Sequence, residues 1–173
     1  MVLGLFSGQV RLARDHGAWA AAFEDEAARI VAVLGDGAVA IEHVGSTSMA
    51  GVPAKPILDL LIGVEDFEAA RVCVAPMESL GYVFRGEYGI TRRHYFVKSA
   101  DAAGRLRTHH VHMVELGSEM WTVTLRFRDR LRAHADLAAE YGRAKLDLAR
   151  IHADDRAAYQ REKDKVVERL LAL

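Results

Sequence analysis

The sequence predicts an α+β protein: a mixed β-sheet flanked by helices, with a carboxy-terminal helical bundle packed against it. Three observations carry this expectation. An amphipathic helical pattern opens the chain, short apolar runs bounded by turn residues recur over residues 39–115, and every apolar spacing beyond Gly117 is helical. No repeat, low-complexity tract or linker divides the 173 residues. One domain over residues 1–173 is expected, with an α/β core over 15–116 and a helical part over 117–173.

The elements follow in order. Trp19, Phe23, Ala27, Ile30 and Leu34 recur at helical spacing, and Gly35 and Gly37 stop the helix. Residues 39–44 and 57–64 read as strands, and Pro53 and Pro56 stiffen the link between them around Lys55. Phe67, Ala70, Val74 and Met77 mark a second helix, which Pro76 should kink or restart. Residues 82–85, 93–98 and 107–115 read as three more strands. Trp121 to Leu131, Leu137 to Ile151 and Tyr159 to Leu171 then give three helices.

Composition narrows the function. Hydrophobic residues make up 51% and charged residues 27%, the balance of an ordinary globular domain. A formal net charge of −1 gives no global electrostatic case for wrapping nucleic acid or coating a membrane, so small-molecule partners are expected. One cysteine, Cys73, excludes an internal disulfide and suits a reducing compartment; it reads as a small core residue. The opening Met1 to Gly8 lacks a basic region and is too short for a signal peptide or a span, so a cytoplasmic location is expected.

Residues 42–59 hold the densest chemistry. A β-branched run ends in Gly45-Ser46, a turn-rich stretch follows, and the next apolar run carries a lone Asp59. Gly45 lets backbone approach a charged ligand, while Ser46, Thr47 and Ser48 offer hydroxyl and N–H donors to anionic oxygens. A bare carboxylate inside Ile57-Leu58-Asp59-Leu60-Leu61-Ile62 is costly to bury, so Asp59 should lie at an open strand end or hold a cation. Glu42 and His43 are adjacent on the first strand, so only one of them faces the site, and register decides which.

The same residues carry a resemblance. Ile-Glu-His-Val-Gly-Ser-Thr-Ser at 41–48 and Ala-Lys-Pro-Ile-Leu-Asp at 54–59 resemble the GrpB family, read as nucleotidyltransferases. Similarity continues through Leu80-Gly81-Tyr82, Tyr95-Phe96-Val97-Lys98, Arg107-Thr108-His109-His110-Val111-His112, Phe127 to Arg132 and Asp155 to Tyr159. The resemblance implies a nucleotidyltransferase-like fold in which Gly45 and Ser46 hold triphosphate and Asp59 holds metal. That superfamily normally shows Asp-x-Asp or Asp-x-Glu, whereas this chain has Asp59-Leu60-Leu61, so Leu61 replaces the second acid.

His110 and His112 lie two apart on a strand and share a face, with Glu115 near the strand end. Either they join Asp59 around one ion, which favours zinc, manganese or iron over magnesium, or they are structural histidines or phosphate donors. Residues 85–107 carry six Lys or Arg residues against two acids, which suits a polyphosphate. The expected phosphate ligands are therefore Gly45, Ser46, Thr47, Lys55, Arg93, Lys98 and Arg107. The expected catalytic and metal residues are Asp59, His110 and His112, with Glu42, His43 and Glu115 as possible additions. The function implied is binding of a nucleoside triphosphate and a divalent ion (Mg, Mn or Zn), with nucleotidyl transfer to an unknown small acceptor. The alternative is a catalytically silent ligand-binding or partner-docking module.

Overall fold

The computed structural model describes residues 3–172; Met1, Val2 and Leu173 lie outside the described residues. The chain runs β1 (Leu5–Phe6), α1 (His16–Leu34), β2 (Ala40–Val44), β3 (Leu58–Val64), α2 (Val74–Ser79), β4 (Tyr82–Phe84), β5 (His94–Ser99), β6 (Leu106–Glu115), α3 (Glu119–Ala133), α4 (Ala135–Ile151) and α5 (Arg156–Ala172). The strands form one sheet in the order β2-β3-β6-β5-β4, with β1 added on β6. Only β3 and β6 run parallel; every other pair is antiparallel. The expected α+β fold, a mixed sheet flanked by helices with three helices at the carboxy end, is the one observed.

Strand periodicity divides the sheet into two faces. Leu58, Leu60, Ile62 and Val64 join Phe96, Val111 and Met113 on one face, where Trp19, Phe23 and Ile30 of α1 and Met77 of α2 cover them. The other face carries Asp59, Leu61, His110 and His112. Its upper part is apolar: Val44, Leu61 and Val114 pack with Met120, Trp121 and Leu125 of α3. A third cluster inserts Met49 and Val52, from the link between β2 and β3, among Leu131, Ala138, Tyr141 and Leu170 of the terminal helices.

Local rules explain most boundaries. Ser118 caps α3 by accepting from the Trp121 amide at 3.4 Å, and Glu119 lies in the first turn where it favours the helix dipole. Pro76 does not break α2; the helix starts at Val74, and proline is tolerated in the first turn, so the restart falls just before it. The two-residue strand β1, with its register of Leu5 to Arg107, has too little pattern to be seen in the sequence. Cys73 is buried and free, as expected of a small core residue. Among the described residues no helix is long and apolar enough to cross a membrane.

Candidate active site

Pairing of β3 with β6 builds the centre of the site. Asp59 sits opposite His110 and Leu61 opposite His112, so the carboxylate and both imidazoles share one face. Asp59 Oδ1 lies 3.1 Å from His110 Nδ1. A carboxylate only accepts, so Nδ1 carries the proton and Nε2 is the basic nitrogen. Among the described residues, the buried His110 Nε2 has no partner. Burial by itself would raise the Asp59 carboxyl, but the hydrogen bond and charge of His110, with His112, hold it below the ordinary value.

His112 is fixed in the opposite sense. Its Nδ1 lies 3.3 Å from an Arg93 terminal nitrogen, which is always a donor, so Nδ1 accepts and Nε2 carries the proton. Burial lowers the His112 pKa to about 4 against the pull of Asp59, which keeps the ring neutral at physiological pH. Arg93 also donates to the Glu87 and Tyr88 carbonyls at 3.0 and 2.9 Å and lies over the Tyr95 ring. Tyr95 in turn lies 5.2 Å from His112 and 5.8 Å from His110, ring centre to ring centre.

Gly45 is where it must be for this geometry. Its φ is +66° with ψ −176°, a region closed to other residues, and a Cβ there would lie 2.3 Å from Asp59 Oδ2. The turn that follows presents Ser46, which hydrogen-bonds with the Tyr141 hydroxyl, and Thr47, whose hydroxyl lies 2.9 Å from His43 Nε2.

These groups open into a cavity of about 880 Å³ between the sheet and the terminal helices. Gly45, Ser46, Thr47, Lys55, Asp59, Arg93, Arg107, His110 and His112 all line it. Sequence reasoning missed Tyr95, Lys145, Tyr159 and Lys163, which also line it. The signal available for the helical residues was a repeated Tyr-x-x-x-Lys, Tyr141 with Lys145 on α4 and Tyr159 with Lys163 on α5. Burial drops the Lys55 ammonium to about 8, with Arg156 and Lys163 adding to the effect and Asp59 opposing it. Burial takes Lys145 well below its ordinary value too.

Four expected site residues lie elsewhere. Lys98 is one residue from Val97, the partner of His110, so it points to the opposite face, where it pairs with Glu26 at 2.7 Å beneath α1. His43, opposite Leu60, faces the same way and stacks on Phe23 at 4.7 Å. Glu42, opposite Leu61, does share the face of Asp59, but α3 intervenes and Arg128 takes its carboxylate at 2.5 Å. Glu115 closes the far end of β6, bonded to Arg92 at 2.8 Å.

Among the described residues no three His, Cys, Asp or Glu groups gather where they could hold an ion. Asp59 Oδ1 is occupied by His110, and His112 faces the Arg93 guanidinium, whose charge opposes a second cation. Leu61, at the position of the second acid, is fully buried among Val44, Val114 and Trp121.

The GrpB protein family model matches residues 9–172. The chain belongs to the GrpB family. It is 30% identical to the glutamate-rich protein GrpB of Alkalihalophilus pseudofirmus over 98% of both chains. It is 43% identical over 150 residues to the UPF0157 protein YqkA of Bacillus subtilis, covering 87% of this chain and 43% of that protein. This GrpB chain thus spans less than half the length of YqkA. The crystal structure of the conserved protein GrpB from Enterococcus faecalis superposes with a TM-score of 0.82 at 32% identity, covering 94% of this chain and 98% of that one.

Proposed function

We propose that this GrpB protein binds a nucleoside triphosphate in the cavity and transfers its nucleotidyl group to a small hydroxyl-bearing acceptor. The observation that carries the reading is the Asp59–His110 dyad, with its unpartnered Nε2 beside a cationic cavity large enough for a nucleotide.

In this reading His110 Nε2 takes the acceptor proton while Asp59 stabilises the imidazolium that forms. The acceptor oxygen bonds to the α-phosphorus, the bond from that phosphorus to the bridging oxygen breaks, and pyrophosphate leaves. His112 Nε2–H donates to a phosphoryl oxygen as charge develops there. Ser46, Lys55 and Arg107 bind phosphate oxygens, and Arg93 acts chiefly by holding His112 and Tyr95. Among the strand residues that line the cavity Asp59 is the one carboxylate, and no step is routed through a metal.

Calorimetry with a panel of nucleoside triphosphates, followed by incubation of α-labelled triphosphate with candidate acceptors, tests the reading. Binding that survives in His110→Gln while label transfer is lost supports it. Absence of triphosphate binding across the panel refutes it.

A further inference from the structure

Among the described residues Lys145 is the most deeply buried cationic side chain, 3% exposed on α4. Its ammonium donates to the Pro53 carbonyl and lies 5.2 Å from the centre of the Tyr141 ring. Lys55 reaches the same end of the cavity from the proline-flanked link and lies 4.6 Å from the centre of the Tyr159 ring. Among the described residues neither lysine has a carboxylate within ion-pair distance. Lys163, weakly paired with Asp164 at 3.5 Å, and Arg156 add charge from α5. Burying an ammonium without a counter-charge costs several kcal/mol, and ordinary cores avoid it. Lys145 and the half-buried Lys55, from different elements, each beside a tyrosine ring and both opening into one cavity, form a site lacking only its anion.

We propose that Lys55 and Lys145, assisted by Lys163, form a metal-independent well for the pyrophosphate portion of the ligand, replacing the charge neutralisation that paired metal ions would supply. The inference deepens the triphosphate reading and rests on it for the nucleoside half alone. Lysine suits the task because an ammonium is a compact donor of three hydrogen bonds, and one of the three on Lys145 is already committed to Pro53. The division of labour is chemically sensible: the leaving group is held by lysines while the attacking side is held by Asp59 and His110.

A consequence is coupling to protons. Both lysines are held below their ordinary pKa by burial, Lys55 at about 8. A bound polyanion stabilises the charged ammonium, so binding raises the pKa and takes up protons at alkaline pH. The groups facing them are Asp59 from β3, Tyr141 from α4, and Arg156, Tyr159, Lys163 and Asp164 from α5. Of these only the carboxylates favour the ammonium form before the anion arrives.

The test is calorimetry with inorganic pyrophosphate alone, in EDTA and again in magnesium. Two buffers of different ionisation enthalpy at pH 8 measure the protons taken up. Binding in EDTA is expected, weakened roughly tenfold or more in Lys55→Met and in Lys145→Met. Proton uptake should shrink in Lys55→Met relative to the unmodified protein, a difference that cancels the titration of pyrophosphate itself. Thermal melts check that each variant is folded, and Lys163→Met serves if Lys145→Met is not. Pyrophosphate binding that requires magnesium, or that ignores both lysine substitutions, overturns the well. Lysine-dependent pyrophosphate binding with no extra affinity for any nucleoside triphosphate upholds the well and refutes the nucleotide reading. Triphosphate binding insensitive to both lysines does the reverse.

Discussion

Replacing Gly45 by alanine tests whether the backbone at the end of β2 is what admits the Asp59 carboxylate. At φ +66° and ψ −176° a residue with a side chain is strained by about 1–3 kcal/mol. The new Cβ would also lie 2.3 Å from Asp59 Oδ2 and 2.9 Å from Asp59 Cβ. The carboxylate can rotate away, at the cost of its bond to His110, but the Asp59 Cβ is fixed to β3. The strands must part at the last register pair, Val44 to Asp59, an overpacking that costs a further ~1–3 kcal/mol. Together the loss is about 2–6 kcal/mol, and at about 2–4 °C per kcal/mol for a chain of this size the melting midpoint falls by at least about 4 °C. Urea denaturation with an unchanged m-value is the assay, with His110 ring resonances reporting the dyad. In an Asp59→Gly background the contact disappears and only backbone strain remains, so Gly45→Ala should cost less there. An unchanged midpoint, or the same cost in both backgrounds, would refute the reasoning.

Three further outcomes follow from the same geometry. Leu61→Asp should not restore a second metal acid: the side chain is enclosed by Val44, Val114 and Trp121, so a loss of about 3–5 kcal/mol by denaturant titration is expected, with no gain in magnesium affinity by calorimetry. Lys98→Met removes one of two cations from the buried Glu26 carboxylate, which keeps Arg29 and Tyr82, so stability should fall by about 1.5–3 kcal/mol while triphosphate affinity in the folded protein is unchanged; a loss of affinity would return Lys98 to the site. Burial holds His43, His109 and His112 neutral with pKa values of about 4, against 6.5 for the unfolded chain. The unfolded state therefore binds more protons between those values, and stability is full above pH 6.5 and falls as the pH drops towards 4, by about 1.4 kcal/mol per pH unit for each histidine. Denaturation midpoints that stay level from pH 7 to 5 would show that these rings are not buried neutral.

How much was legible depends on the range of the interaction. That His110 and His112 share a face follows from the period of a strand, and an acid isolated in an apolar run marks Asp59 as unusual; both are local facts. Which strands lie side by side is not local. Parallel pairing of β3 with β6 joins residues about fifty apart in the chain, and only that pairing puts Asp59 beside His110. Lys98 and Tyr95 show the cost of lacking register: a basic residue looked like the phosphate ligand, but parity with Val97 sends it under α1 and brings the tyrosine into the cavity instead. Lys145 was hidden for a different reason. Residues 137, 141, 144 and 148 already supply the apolar stripe of α4, and a lysine beside that stripe reads as a solvated flank until the link from β2 to β3 is seen to pack over it.

That link is where fold and chemistry meet. Its own sequence is rich in turn residues, and its backbone bonds run within the turn after Gly45 and out to Gly4 and Ala13 near the amino end. The helices add further anchors. Met49 and Val52 are buried among Leu131, Ala138 and Leu170, the Ser48 carbonyl accepts from Arg132 Nε at 3.0 Å, and the Pro53 carbonyl accepts from Lys145. Gly142 permits the approach, since a Cβ there would lie 3.0 Å from Pro53 Cδ. The stretch that presents Ser46 and Lys55 is therefore held by the terminal helices as well as by Gly4, Ala13 and His16 from the amino end, while Asp59 and His110 are held by the sheet. A ligand spanning the cavity touches both halves, so the packing of α4 against the link sets the distance between the dyad and the lysines.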